Sequence, residues 1–204
     1  MATREYRSSV RARHAEDTRR TIVDAAAALF AEQGYARTSV AAVAAAAGVA
    51  LNTVYTSVGG KSALVMALSD DGAEDPVAVE TVRRIVESDD AGEILRLTAE
   101  GTARVRRARW RAVGILLDNR TSDPDVAAAA TAATRVVRDR LDRVALRLVE
   151  VGGLRPGLDA DRVGQVLWFY FGFEAWRTAR DLGWDWDEAA GWLADQAAGA
   201  LLAP

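Results

Sequence analysis

Residues 38–61 read TSVAAVAAAAGVALNTVYTSVGGK and give the strongest structural signal in the chain. They contain two short helical patterns joined by a turn at Gly48, and they end at Lys61, the only lysine in the protein. Two short helices around a glycine turn are the arrangement with which many proteins place one helix in a DNA groove. The pattern therefore predicts a DNA-binding segment.

The first helix of this motif is predicted to begin with an N-cap at Thr38 or Ser39. The second helix is predicted over residues 51–58. Val54 and Val58 are four residues apart and are expected to point into the core, together with part of Tyr55. The outward side of this helix then consists of Leu51, Asn52, Thr53 and Thr56.

Helices are also predicted on both sides of the motif. Residues 18–33 show an apolar stripe at helical spacing, and Gly34 follows where a left-handed C-terminal cap is expected. A further helix begins near Lys61, and the acidic segment 69–76, SDDGAEDP, marks a boundary. Residues 1–17 are rich in arginine without an apolar face and are interpreted as a flexible basic arm. The predicted organisation is the arm at 1–17, a helix-turn-helix domain at 18–68 and a body at 69–204.

The body shows helical periodicity throughout and no alternating strand pattern. Its clearest helix is predicted between Pro124 and Gly152, because apolar residues recur there every three or four positions. The predicted fold class is therefore all-α, with an N-terminal three-helix head and a C-terminal helical body. The helical segments expected in the body are 77–89, 92–119, 124–152, 159–182 and 187–202.

The composition excludes several classes of site. The 204 residues include no cysteine and a single histidine, His14, so disulfides, thiolate catalysis and a cysteine–histidine metal site are not expected. The sequence has no glycine-rich phosphate loop and no paired carboxylates in an apolar setting, so neither an enzyme nor a cofactor is predicted. No apolar run reaches the length of a membrane span and no signal-peptide core is present, which predicts a cytoplasmic protein without membrane attachment.

Charge is distributed unevenly along the chain, whose formal net charge is −3. Residues 1–61 contain eight Lys or Arg and five Asp or Glu, whereas the remaining residues contain 18 and 24. A basic N-terminal part before an acidic remainder is typical of a nucleic-acid-binding head on an acidic body. Ordinary variation also produces differences of this size, so the charge supports the motif and does not replace it.

Residues 18–68 resemble the DNA-binding domain of the TetR family of bacterial transcriptional regulators. The body matches that family only in length and helical character. The resemblance implies a homodimeric regulator, most often a repressor, that binds a near-palindromic DNA operator and responds to a small-molecule effector held in the body. The matching features occur in order and without gaps: Ile22, Ala25 and Ala26, Leu29 and Phe30, Gly34 and Tyr35, Thr38 and Ser39, Val43 and Ala44, Ala47 to Val49, Thr53 to Tyr55, and Lys61 with Leu64.

The resemblance also implies roles for individual residues. Tyr55 and Lys61 match positions that usually contact phosphate, and their alternatives are core packing and plain solvation. Ser39, at the start of the first motif helix, either offers its hydroxyl and a free backbone N–H to phosphate or serves only as a helix cap. Asn52 can pair with adenine, and Leu51 or a threonine methyl can contact a thymine methyl. The arm arginines either enter a minor groove or stay solvated. The full set of implied DNA-binding residues is Ser39, Leu51, Asn52, Thr53, Tyr55, Thr56 and Lys61.

Two short segments depart from the family pattern. Residues 56–58 stand where a histidine or aromatic residue and then phenylalanine are usual, and Gly59 and Gly60 replace more constrained residues. These departures indicate a less rigid head. They keep open a second function, a dimeric helical ligand-binding or interaction protein with weakened operator affinity.

Aromatic residues of the body are the candidates for a ligand pocket and a dimer contact, although most of them would be core side chains in any fold. Segment 168–176 is aromatic on more than one side, so one side is expected to pack within the subunit and another against a partner. By resemblance, the helices at 159–182 and 187–202 pair across a two-fold axis. Glu174 either orients an amine of the ligand or pairs with Arg177. The candidate pocket residues are Trp110, Val113, Leu117, Trp168, Phe171, Glu174 and Trp176, which predict a small hydrophobic or aromatic effector.

Overall fold

The computed structural model describes residues 2–70, 76–121 and 123–204. The chain divides into two compact units, one formed by residues 1–71 with 109–131 and the other by residues 72–108 with 132–204. The described ranges contain ten helices: α1 Ala2–Gln33, α2 Val40–Ala46, α3 Leu51–Ser57, α4 Lys61–Asp70, α5 Pro76–Glu87, α6 Ala91–Asp118, α7 Pro124–Val151, α8 Ala160–Phe171, α9 Phe173–Asp181 and α10 Trp186–Leu201. The predicted all-α class is confirmed.

In the first unit, α1 packs against α2, α3 and α4 around a small apolar core. The apolar stripe predicted on α1 points into this core, and its burial stabilises the packing of the short helices against α1. Each helix has at least one fully buried side chain there, including Ile22, Val43, Val54 and Leu64. At the end of α1, Gly34 has a φ of +81° and takes the left-handed cap expected from the sequence.

The first helix begins at Ala2, not near Thr18, and this corrects the interpretation of residues 1–17 as a flexible arm. The segment contains no glycine or proline and is rich in Arg, Ala and Glu, which are good helix formers. A polar helix of this kind needs no apolar face of its own, because it continues a helix that is already anchored downstream. Residues 13–17 are exposed on it.

In the second unit, α8 packs against both α9 and α10. The largest fully buried side chains of this unit include Trp176, Phe171 and Leu201. The C-terminus is fixed to the loop after α7 by two backbone hydrogen bonds, from Arg155 N–H to Leu201 O at 2.8 Å and from Ala203 N–H to Gly153 O at 2.9 Å.

The predicted single helix over 159–182 is two helices, α8 and α9, which meet at Gly172. The backbone there is extended, with φ −66° and ψ 170°. A Cβ atom at this position would lie 2.4 Å from Trp168 O, so only glycine fits. The break turns the aromatic segment so that its residues are distributed over two helices.

Residues 109–131 were predicted to belong to the body, yet they pack with residues 1–71. Long helices α6 and α7 therefore each contribute one end to the first unit. As for membranes, no single helix in the described ranges is long and apolar enough to be a span, and only the bent pair α2 and α3 meets that test when taken together.

Candidate nucleic-acid interface

Helices α2 and α3 form the turn on which the interface is built. Ser39 caps α2 by accepting a 3.1 Å hydrogen bond from Ala42 N–H, which confirms the predicted N-cap. Gly48 has a φ of +66° and reverses the chain, and Val49 N–H then donates to Ala44 O at 3.0 Å. The two helix axes turn through 102°, within the range of helix-turn-helix motifs.

Helix α3 buries one side and presents the other to solvent, as the sequence predicted. Val54 is fully buried, whereas Leu51 is 44% exposed and Tyr55 is 53% exposed. The exposure of Tyr55 removes core packing as its main role. Asn52 and Thr56 are exposed and Thr53 is half-buried.

The hydroxyl of Thr56 is already engaged by its own helix. It donates to Asn52 O at 2.9 Å and lies 3.2 Å from Thr53 O. Because the hydroxyl proton is used in this way, Thr56 offers its methyl group and an acceptor lone pair to a partner. This chemistry suits a thymine methyl better than a phosphate oxygen.

The turn after α3 contains two glycines, but backbone hydrogen bonds fix its conformation. Val58 N–H and Gly59 N–H both donate to Val54 O, at 2.9 and 3.1 Å, and Leu64 N–H donates to Gly60 O at 3.1 Å. Gly59 has a φ of +116°, and a Cβ there would lie 2.9 Å from Ala63 Cβ. Glycine is therefore required by backbone conformation and by space, and Val58 is half-buried beside it.

Lys61 stands at the start of α4 and is half-buried. Its ammonium donates to Ala36 O at 3.1 Å and lies 4.2 Å from the centre of the Tyr35 ring. Partial burial lowers the pKa of Lys61, and the negative charge of Asp123 opposes that effect. The ammonium group of Lys61 therefore lies between the α1–α2 turn and α4, at the edge of the helices that support α3.

Two contacts from the start of α7 to this scaffold were missed in the sequence. Tyr35 is buried, and its hydroxyl donates to Asp123 Oδ2 at 2.8 Å. Ser62 Oγ donates to Asp125 Oδ2 at 3.3 Å. The pKa of Tyr35 is raised, first by burial and then by the hydrogen bond to Asp123. An Asp before Pro124 signals a helix cap, but nothing local to it indicates a partner 88 residues away.

The candidate pocket residues are divided between the two units. Trp110, Val113 and Leu117 belong to the first unit and are half-buried, while the other four belong to the second. Of those four, Phe171 and Trp176 are fully buried and Trp168 is half-buried. Within its own unit, the ring of Trp168 makes a cation–π contact with Arg138, whose Cζ lies 4.7 Å from the ring centre.

Glu174 points outward from α9, with 68% of its side chain exposed, and its carboxylate is 4.0 Å from Arg177 Nε. This geometry matches the alternative of a surface pair with Arg177. An amine-binding role for Glu174 in an enclosed pocket has no support from its position.

A cleft of about 400 Å³ in the second unit lies between α6 and the start of α10, and several charged residues are among those that line it. It was not predicted, because its charged residues lie on solvated helix faces that have no distinctive sequence pattern. Within the described ranges, no group of three or more His, Asp or Glu side chains is arranged to hold a metal ion. The lining residues of the cleft are Arg96, Glu100, Arg104, Asp187, Ala190 and Gly191.

Comparisons with known proteins agree with this geometry. The family model "Bacterial regulatory proteins, tetR family" matches residues 22–68, which contain α2, α3 and most of α4. No curated protein matches the chain significantly.

Among solved structures, the fatty acid degradation regulator FadR from Bacillus halodurans is 20% identical, with a TM-score of 0.73, and covers 89% of this chain and 95% of its own. SmeT, solved as a complex with triclosan, is 20% identical with a TM-score of 0.71, and 92% of each chain is covered. NalD, the secondary repressor of the MexAB-OprM multidrug efflux pump in Pseudomonas aeruginosa, is 23% identical with a TM-score of 0.73, covering 93% of this chain and 98% of NalD.

These likenesses show a shared fold over nearly the whole chain, and the family model covers the helix-turn-helix segment itself. The helix-turn-helix segment therefore matches the TetR family of bacterial regulatory proteins, and the chain as a whole shares the fold of these solved regulators.

Proposed function

We propose that the protein is a ligand-responsive repressor that binds a near-palindromic operator as a homodimer and is released by a small hydrophobic or aromatic effector. The observation that carries the proposal is the exposed face of α3, held by a buried core on the opposite side. A rigid helix with one free face is what insertion into a major groove requires.

The chemistry of that face supports sequence reading. Asn52 offers the paired donor and acceptor that match the edge of adenine, and Leu51 with the methyl of Thr56 offers apolar contact for thymine. Arginine is absent from α3, so bidentate guanine recognition is not expected from this helix. The proposed operator is therefore read mainly through A·T pairs.

Phosphate contacts are assigned to side chains around this face. Tyr55 is exposed on α3, Ser39 is exposed at the start of α2, and Lys61 brings a cation to the start of α4. Ser39 Oγ accepts a hydrogen bond from its own helix, which leaves its hydroxyl proton for a phosphate oxygen. Such contacts set the position of α3 in the groove and carry no sequence information themselves.

The dimer is proposed to form through α8 and α10. Phe169 on α8 is 71% exposed, and Trp192 on α10 is also an exposed large aromatic side chain. Large apolar side chains on neighbouring helices mark an interaction surface when they recur on one face. Exposed small residues on α10, Gly191 and Gly199, permit the close approach of a partner helix in a two-fold arrangement.

Release by an effector is proposed from the apolar interior of the body and from the roles of proteins with similar structures. SmeT was solved with triclosan, and NalD is a repressor. In this chain, Phe171 and Trp176 give the second unit a buried aromatic interior. An effector acts by binding more tightly to the conformation whose heads do not fit the operator.

The test is a fluorescence-anisotropy titration of the purified protein against the DNA upstream of its own gene, repeated over a range of salt concentrations. If about six phosphates are neutralised per dimer, the log–log salt slope is expected near −5. An unrelated sequence of equal length is the control and should bind more weakly by several orders of magnitude, about 10³ or more. Weak binding that is equal for both DNAs would contradict the proposal and favour the alternative, a dimeric helical ligand-binding or interaction protein.

A further inference from the structure

Arg106, on α6, is a buried cation without an anion. The residue is only 7% exposed. In the part of the chain that the structure describes, it forms no hydrogen bond or ion pair, and its interaction is with the ring of Phe173, whose centre lies 5.4 Å from Arg106 Cζ. Burial lowers the pKa of Arg106 to about 10, so the guanidinium is still charged at neutral pH.

Trp176 supplies a second donor without an acceptor. The indole is fully buried, and among the described residues its Nε1 has no hydrogen-bond partner. Buried tryptophan N–H groups usually find an acceptor. Trp176 follows Phe173 by three positions on α9, so the two rings lie on the same side of that helix.

Arg147, in the same unit, is an arginine whose charge is paired with carboxylates. Its Nε is also buried without a partner, but its two other nitrogens bind Asp89 at 2.7 Å, Ser88 O at 3.0 Å and Glu150 at 3.3 Å. The charge of Arg147 is thus compensated within the protein. Arg106 has no such compensation.

A second cation lies against the ring that Arg106 contacts. Arg177 Cζ lies 5.1 Å from the centre of the same Phe173 ring. The carboxylate of Glu174 is directed at Arg177 and is largely exposed. A largely buried cation without an anionic partner is unfavourable for folding, and a ligand that supplies the anion would compensate it.

We propose that Arg106 and Trp176 bind the carboxylate of a small hydrophobic monocarboxylic acid, whose apolar part packs against Phe173 and the neighbouring core. The two protein groups are donors only, so the ligand has to supply the acceptors. A guanidinium binds a carboxylate through two parallel hydrogen bonds, and the apolar setting favours a monoanion over a phosphate dianion because less hydration is lost. The inference rests on the proposed function in taking this acid to be the effector.

The test measures thermal unfolding of the full-length protein with benzoate, 1-naphthoate, octanoate and decanoate, each paired with its neutral primary amide. At least one acid should raise the melting temperature while its amide does not. Arg106→Met should melt at a higher temperature than the wild type without ligand, because an uncompensated charge is removed. It should bind the acid about tenfold to a hundredfold more weakly, as expected for the loss of a charged hydrogen bond.

Matched variants separate binding from packing. Arg107→Met removes an exposed arginine next in sequence and should leave both melting and acid binding unchanged. Trp176→Phe keeps an aromatic side chain, and it should weaken acid binding by a smaller factor, about threefold to tenfold. Arg106→Gln serves as the second variant if Arg106→Met does not fold.

Three results would overturn the proposal: no acid in the panel stabilises the wild type, the acids stabilise the Arg106 variants equally well, or both Arg106 variants melt at a lower temperature than the wild type. Operator anisotropy separates this proposal from the proposed function. If an acid binds through Arg106 without changing operator affinity, the carboxylate site is supported but its role as the effector site is contradicted. If neutral compounds release the Arg106→Met protein from its operator, the proposed regulator function is supported but the role of the carboxylate site in it is contradicted.

Discussion

The hydroxyl of Tyr35 donates a 2.8 Å hydrogen bond to Asp123, across 88 residues of sequence. The other carboxylate oxygen of Asp123 accepts from the N–H groups of Asp125 and Val126, at 2.9 and 3.3 Å. One aspartate therefore caps α7 and at the same time holds the turn between α1 and α2. The cation of Lys61 lies over the same tyrosine ring, so the start of α4 also packs on this group of residues.

Acid should weaken this connection. The hydrogen bond from Tyr35 is the main reason that the pKa of Asp123 is lowered; desolvation opposes it, and the two backbone hydrogen bonds and the charge of Lys61 add smaller effects in the lowering direction. A carboxyl with a lowered folded-state pKa stabilises the protein above its unfolded pKa of about 4, and that contribution is lost as pH falls through the folded pKa. Asp123→Asn should therefore melt below the wild type at neutral pH.

The difference in melting temperature between the wild type and Asp123→Asn should shrink as the pH falls below about 4. Tyr35→Phe is the matched variant, because it removes the largest cause of the shift and keeps the ring. It should also melt below the wild type at neutral pH, because one hydrogen bond to a charged group is lost. A difference that is independent of pH would mean that the charge of Asp123 contributes nothing.

Removing the charge of Lys61 should weaken binding to every DNA sequence. Lys61→Met keeps an unbranched side chain against the ring of Tyr35, and it should reduce the log–log salt slope by about one for each subunit. Lys61→Arg keeps the charge and should retain the slope. If the methionine variant loses thermal stability but keeps its salt slope, Lys61 serves only to join Ala36 and Tyr35 to α4.

Asn52 should determine one base in each half-site. Asn52→Ala should lose about 1–3 kcal/mol of discrimination at that position, because the bidentate contact with adenine is gone. Thr53→Ala is the comparison, since we propose that Thr53 lies near the DNA backbone, and its loss should then lower affinity by a similar factor on all sequences. Selection from a randomised operator library measures both effects, and an unaltered preference in the Asn52 variant would exclude it as a reader.

Gly59 and Gly60 should differ sharply when replaced by alanine. Gly59→Ala places a residue with a side chain at φ +116° and brings its Cβ to 2.9 Å from Ala63 Cβ, so it should cost at least about 1–3 kcal/mol. A Cβ at Gly60 meets nothing within 4 Å, so Gly60→Ala should be much milder. Chemical denaturation measures the two costs, and equal values would mean that the turn relaxes freely around residue 59.

A charge on the exposed face of α8 should separate the proposed dimer. Phe169→Glu is expected to shift the protein toward monomer in sedimentation velocity and to weaken operator binding, since two linked heads bind far better than one. Val86→Glu, on a similarly exposed valine of α5, is the control and should remain dimeric. A Phe169 variant that sediments like the wild type would place the interface elsewhere.

Local features of the sequence were enough to predict most helix ends. Pro124 begins α7, Ser39 caps α2, and Gly34 ends α1, because each acts through hydrogen bonds or backbone conformation within a few residues. The break at Gly172 was missed, since it depends on the contact of one position with the carbonyl of Trp168. The helical start of α1 was also missed, because a polar segment without periodicity is ambiguous until its anchor is known.

The amino-acid sequence alone determined the helix-turn-helix motif, its exposed and buried sides, and the all-α class, because periodicity and capping are properties of neighbouring residues. Only the tertiary structure decided that residues 109–131 pack with the first 71, that Asp123 meets Tyr35, and that Arg106 is buried without a carboxylate. Each of these depends on which distant side chains the fold brings together. Burial in turn changes the free energy of a charge far more than its position in the sequence does.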